Sequence, residues 1–171
     1  MRSAPRTALV VDRHEPSACR SLVRALKDGK DPEALLGQAR RYKQGVYRAE
    51  GLAAVGSAVD VIEDLDASLP HVIGVSLLDE ADEWRRAEAL KPVAGHVVRW
   101  PDQHARRAAI DELLALLSSF TEPPAIKDAA HHLSRQLDGD DLHRMLTVTC
   151  GLEVGAPGAV RQVIRSMIAP S

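Results

Sequence analysis

His71-Val72-Ile73-Gly74-Val75-Ser76-Leu77 is an apolar run with Pro70 before it and the charged residues from Asp79 onward after it. A short run rich in β-branched residues between such borders predicts a buried strand. Two other stretches have the same look. Thr7-Ala-Leu-Val-Val-Asp12 predicts a strand whose C-terminal edge is Asp12, and Gly95-His-Val-Val-Arg-Trp100 predicts a third. Between them the apolar residues follow a helical period. Glu15-Pro16 opens a helix carrying Cys19, Leu22, Val23 and Leu26. Asp31-Pro32 is a cap followed by proline at the first helical position, and Leu35, Leu36, Ala39 and Tyr42 follow, with Gly45 as the stop. Leu52, Val55, Val59, Ile62 and Leu65 predict another helix, with a strand over residues 52–62 as the alternative. Asp79 to Lys91 predicts a charged helix with Ala81, Trp84, Ala87 and Leu90 inward. Pro101 opens a long helix with Ile110, Leu113, Leu114, Leu117 and Phe120 on one face. Strands alternating with helices predict an α/β domain, a parallel sheet flanked by helices, over residues 1–120. Past Thr121-Glu-Pro-Pro124 the patterns are helical only, giving a C-terminal helical extension over residues 121–171.

The 171 residues fit one domain with an appendage. Hydrophobic residues at 45% and charged residues at 27% place the chain among globular proteins rather than disordered ones. Aromatic residues at 3% disfavour the stacking platforms that bind single-stranded nucleic acid. A net charge of -2 argues against overall attraction to DNA or to an acidic membrane. Cys19 and Cys150 lie far apart and in no metal-like pair, which fits a reducing compartment. There is no apolar run long enough to span a bilayer, and the stretch Ala8 to Val11 is too brief for a signal peptide. These observations predict a cytoplasmic location and no membrane partner.

Two stretches resemble the receiver domain of bacterial response regulators. Leu9-Val-Val-Asp-Arg-His-Glu-Pro16 is similar to the family's first strand, acidic pair and first helix. Val72-Ile-Gly-Val-Ser-Leu-Leu-Asp-Glu-Ala-Asp-Glu83, followed by Val93-Ala-Gly-His-Val-Val-Arg-Trp-Pro101, is similar to its fourth strand through to its fifth helix. The resemblance implies a CheY-like, Rossmann-like sheet with a pocket formed by Asp12, Arg13, Ser76 and Arg99. The family's chemistry does not carry over. Phosphoryl transfer to an aspartate needs Mg²⁺ held by neighbouring carboxylates. Here Arg13 stands where the second carboxylate belongs, and no strand-like run ending in Asp lies between residues 27 and 70. Ser76 matches the hydroxyl that senses phosphorylation, while Arg99 and Trp100 occupy the region of the expected lysine. The implied function is that of a non-phosphorylatable pseudo-receiver without a cofactor, a regulatory module that recognises a protein partner or a second copy of itself. The implied interaction face runs along Ser76 to Leu90 and Val97 to Asp111, with Trp84, Leu90 and Trp100 as its apolar residues.

Other constellations stand beside this one in the sequence. His131, His132 and His143 lie among Asp128, Asp140 and Asp141, but adjacent histidines on a helix point about 100° apart, so exposed helix histidines are the better reading. Arg99 and His104 have the spacing of the motif of HEPN ribonucleases, with Pro101 breaking the helix that motif requires. Cys19 paired with a distant histidine is a nucleophile in principle, and its place on an apolar helix face reads as a small buried hydrophobe instead. Residues 150–165 resemble a helix-turn-helix, in which Arg161 and Arg165 would meet DNA; the alternative function is a small transcriptional regulator. Against it, residues 121–171 hold five Lys/Arg and six Asp/Glu, so no basic face is built. The same tail, from Asp141 through Val163-Ile164, also resembles the effector-associated adaptor domains of actinobacterial conflict systems, which are protein–protein modules. No Gly-rich phosphate loop or nucleophile elbow is present, so the sequence predicts no enzyme.

Overall fold

The computed structural model describes the backbone of residues 7–151 and the side chains of residues 15–147. Among these residues the chain is helical throughout: α1 Thr7–Lys27, α2 Pro32–Arg40, α3 Gly45–Gly56, α4 Ile62–Asp66, α5 Leu69–Leu78, α6 Glu83–Val97, α7 Gln103–Leu117, α8 Pro123–Ser134 and α9 Gly139–Gly151. No strand occurs among the described residues, which overturns the expected α/β parallel sheet.

Two of the three expected strands lie within helices, and the third straddles the end of one. Thr7–Asp12 is the start of α1, which runs on through Pro16. His71–Leu77 lies in α5, where Pro70 serves the first turn rather than closing the preceding segment. Gly95 to Val97 end α6, and Trp100 sits in the turn that follows. The reason is burial on more than one side. Leu69, Pro70, Ile73, Gly74, Ser76 and Leu77 are all buried on α5, so its sequence lacks a broad polar face. A short apolar run of that kind reads alike as strand or buried helix. Gly45, expected to end a helix, begins α3, and the helix expected over Leu52–Leu65 is broken into the end of α3 and the short α4.

The order of packing is simple. α3 lies against α1, α2, α5 and α6. From there the helices stack at every second position, with α5 on α7, α7 on α9, and α6 on α8. Small residues let α3 take four neighbours. A Cβ on Gly45 would overlap the carbonyl oxygen of Ser76 on α5, and a Cβ on Gly56 would overlap the Trp100 indole. The Trp100 ring is fully buried there, and its Nε1 donates to the Ala53 carbonyl at 2.8 Å.

Buried polar groups join helices that are distant in sequence. The Glu15 carboxylate of α1 accepts from the backbone N–H groups of Lys43 and Gln44, at the entrance to α3. Arg86 of α6 donates through Nε and Nη2 to the Glu80 carbonyl and through Nη1 to Ser119 Oγ, and lies over the Phe120 ring. Its charge is buried with a hydrogen bond at each of the three guanidinium nitrogens, which lowers the cost of keeping a cation inside. Glu83 accepts from the N–H of Thr121 and of Glu122, tying the first turn of α6 to the approach to α8.

The caps follow the expected chemistry. Asp31 accepts from Glu33 N ahead of Pro32. Asp102 serves two helices: Oδ1 accepts from Ala105 N in α7, and Oδ2 from Ile62 N in α4. The hydrogen bonds from Ala105 and then Ile62 hold its carboxyl below the ordinary 3.8.

Two outcomes are expected. Gly56→Ala forces the Trp100 ring off its seat and lowers stability by about 1–3 kcal/mol, read as a lower urea midpoint at unchanged slope. Asp102→Ala costs about 1–2 kcal/mol at neutral pH through two lost caps. Because the folded pKa of Asp102 is depressed, its contribution is present above 3.8 and is lost as the pH falls through the folded value. The gap between wild type and variant therefore closes in acid.

Candidate functional site

The side chains of α3 and α6 leave an open groove between them. Val46, Tyr47 and Glu50 line it from α3; Trp84, Arg85, Glu88, Ala89 and Pro92 line it from α6. Both sets repeat at three and four residues, so each is one helix face. The cavity is about 310 Å³, and most of its surface is apolar. Trp84 stands at its rim with 46% of its surface exposed. Pro92 lies within α6 and has no N–H to give the Glu88 carbonyl one turn back.

Three charged side chains enter this apolar surface. Arg85 is engaged at one end, where Nη2 donates to Gln44 Oε1 at 2.7 Å and Nη1 faces Glu80 at 3.4 Å. Glu88 is exposed, with Oε1 3.4 Å from Nε2 of His132 on α8. Glu50 is half-buried, and burial raises its carboxyl above the ordinary 4.5 against the opposing influence of the Cys19 thiol and the Arg20 charge. Behind Glu50 lies Cys19, fully buried, with its Sγ 3.9 Å from the Tyr47 carbonyl. Burial, followed by the charge of Glu50, pushes the Cys19 thiol up to about 12. It is therefore a protonated thiol at neutral pH and a poor nucleophile.

The residues singled out from sequence fall elsewhere or play other parts. Asp12 and Arg13 lie on the backbone of α1, and their side chains are outside the described ones. Ser76 is buried on α5, where its hydroxyl donates to the Val72 carbonyl and accepts from Arg48 Nε at 2.9 Å. The same arginine donates to the Tyr42 carbonyl and pairs with Asp79. Ser76 is thus a tie between α3 and α5. Arg99 is exposed in the turn after α6. With no strand among the described residues, no strand edge gathers these four into a pocket.

Trp84, Leu90 and Trp100 were expected on one interaction face. Leu90 and Trp100 are instead wholly buried core residues, and Trp84 is exposed. Leu90 faces inward because it shares a helix face with Ala87, Val93, Ala94 and Val97. Arg161 and Arg165 lie outside the described residues. Among the described residues no three metal-ligating side chains converge, and His132 turns toward Glu88.

Sequence reading did not single out Tyr47, Glu50, Arg85 or Glu88. The i, i+4 series Trp84, Glu88, Pro92 was available as a signal, but only the packing of α3 on α6 makes it a wall. Comparison with family models finds no match to this chain, and comparison with curated proteins and with solved structures finds none either.

Glu50 holds its charge at a cost to folding. Its folded pKa is raised, so the penalty is absent below the ordinary 4.5 and grows as the pH rises through the folded value. Glu50→Gln is expected to raise the melting temperature at pH 7, with the gain vanishing in acid. An unchanged or lower melting temperature at pH 7 counts against this account of the groove.

Proposed function

We propose that this protein is a non-catalytic interaction module that recognises a protein partner through the corner where α5 gives way to α6. The observation that carries this reading is the placement of exposed apolar side chains. Among the described residues the large exposed hydrophobics are Val61, Val75, Leu78 and Trp84, and three of the four fall within residues 75–84. Leu78 is 51% exposed and borders a second hollow, between α5 and α7, lined by Gly74, Glu112 and Leu116. Val75, Leu78 and Trp84 are neighbours in the chain and flank one helix junction, and exposed apolar side chains that cluster mark interaction sites more often than single ones do. The corner is also rigidly mounted. Arg48 and Ser76 hold the end of α5, and Asp82 caps α6 through Trp84 N and Arg85 N. A pre-ordered surface loses little freedom on binding.

The hydroxyl and thiol chemistry supports a non-catalytic role. Ser76 is bonded on both sides, and Cys19 is a buried protonated thiol. Neither is presented to a substrate.

Leu78→Asp and Trp84→Asp are expected to abolish partner capture, measured by affinity purification with isotopic quantification against wild type. Val61→Asp, placed between α3 and α4, is expected to leave the captured set unchanged. Sedimentation across a concentration series tests whether the partner is a second copy. A captured set and a sedimentation profile indifferent to both corner variants would overturn the reading.

A further inference from the structure

The groove between α3 and α6 has a chemical character of its own. Its lining includes the rings of Tyr47, Trp84 and Pro92. Its formal charges are two carboxylates, Glu50 on one wall and Glu88 on the other, and one guanidinium, Arg85. The guanidinium is already bound to Gln44 and Glu80 at one end. A ligand therefore meets an apolar slot with a carboxylate on each side. Aromatic faces attract cations through the ring quadrupole, and carboxylates form charge-assisted hydrogen bonds with N–H⁺ donors.

We propose that this groove is a binding site for a free amphipathic organic cation, an arylalkyl ammonium or guanidinium, with its apolar body on Tyr47, Trp84 and Pro92 and its charged head between Glu50 and Glu88. Size favours a free small molecule over a protein segment. The cavity of about 310 Å³ stands at the small end of ligand pockets, roughly 300–1,000 Å³. A protein interface covers far more surface, on the order of 800 Å² per partner. The placement of Glu50 agrees with this assignment. A cation seated beside that carboxylate offsets part of its burial, adding to the influence of Arg20. Glu88 is exposed and paired only across 3.4 Å to His132, so it can turn toward the ligand at little cost. The inference goes beyond the proposed protein-binding corner; the two share Trp84, but Leu78 does not line this groove, so Leu78 separates them.

The test uses the full chain and three probes of like shape: phenethylammonium, 2-phenylethanol and 3-phenylpropionate. The protein has two tryptophans, and the indole N–H signal of Trp84 in a ¹H–¹⁵N spectrum is identified by its loss in Trp84→Phe. The ammonium is expected to shift that signal saturably while the buried Trp100 signal stays in place. The neutral alcohol should bind about tenfold more weakly or worse, and the anion not detectably. Glu88→Gln, an exposed change that leaves the fold intact, should weaken the ammonium about fivefold to tenfold. Glu50→Gln should do the same, with its melting curve confirming a folded protein. Leu78→Asp should leave ammonium binding unchanged, so a failure of the corner reading and a failure of this one are distinguishable. No saturable shift, equal binding of the three probes, or an affinity indifferent to Glu88→Gln would overturn the proposal.

Discussion

The close approach of neighbouring helices to α3 is the constraint on which the rest of the structure depends. Four helices lie against this one segment of twelve residues, and most of its side chains are glycine, alanine or valine. Such surfaces let helix axes come near, but they supply little area per residue to the hydrophobic effect. The missing specificity is provided by larger groups brought in from outside. Trp100 fills the space over Gly56, Tyr42 comes from the end of α2, and the Glu15 carboxylate meets the entrance of the helix. Arg48 is the exception within α3 itself. Its guanidinium reaches the Tyr42 carbonyl, Ser76 and Asp79, so one side chain fixes both the entry to α3 and the end of α5. Pairs nearer the surface, such as Arg40 with Asp66 and Arg144 with Asp111, are worth about 0–1 kcal/mol each and do not define the arrangement.

The groove follows from the same constraint. α3 presents its small residues to its neighbours and turns Val46, Tyr47 and Glu50 toward α6. The facing side of α6 carries Ala89 and Pro92, which are too short to fill the gap, while Trp84 remains at the rim. A well-filled core would have placed leucines at such positions. Glu50 adds a half-buried carboxylate backed by an un-ionised thiol. An open apolar groove and a partly desolvated carboxylate coincide there, and that coincidence is the ground for proposing the groove as a binding site.

The helices with one polar face were legible in the sequence. Asp31-Pro32 opens α2 as expected, and Ile110, Leu113, Leu114, Leu117 and Phe120 are buried on and just beyond α7. Ile126, Ala129, Ala130 and Leu133 are likewise buried on α8. The apolar runs were not legible, because strand and buried helix look alike over seven residues. A finer signal was present. Leu69, Ile73 and Leu77 step by four, and Val93, Val97 and Trp100 by four and three, all of them fully buried. Pro70 obscured the first, suggesting an end where it marks a beginning, and the helix expected over Asp79 to Lys91 in fact runs on through Pro92 to Val97. The receiver-like pocket depended on strand ends, so it fell with the sheet. Of the face expected from sequence, Trp84 is exposed because its helix turn opens onto the groove, whereas Leu90 and Trp100 point into the core. Tyr47 and Glu50 were beyond sequence reasoning, since nothing local says that α3 and α6 are neighbours.

The seat of Cys19 has a consequence for how the molecule breathes. The thiol is covered on α1 by contacts that include the Tyr47 carbonyl of α3. A thiol reagent therefore reaches it only when α1 lifts from α3, and the thiolate needed for reaction forms only once the sulfur is hydrated. In a chain whose other cysteine, Cys150, is replaced by serine, the alkylation rate becomes a clock for the opening of this one seam. Its dependence on denaturant separates two cases: a shallow slope means that α1 peels away alone, and a steep one means that it leaves only when the whole array unfolds.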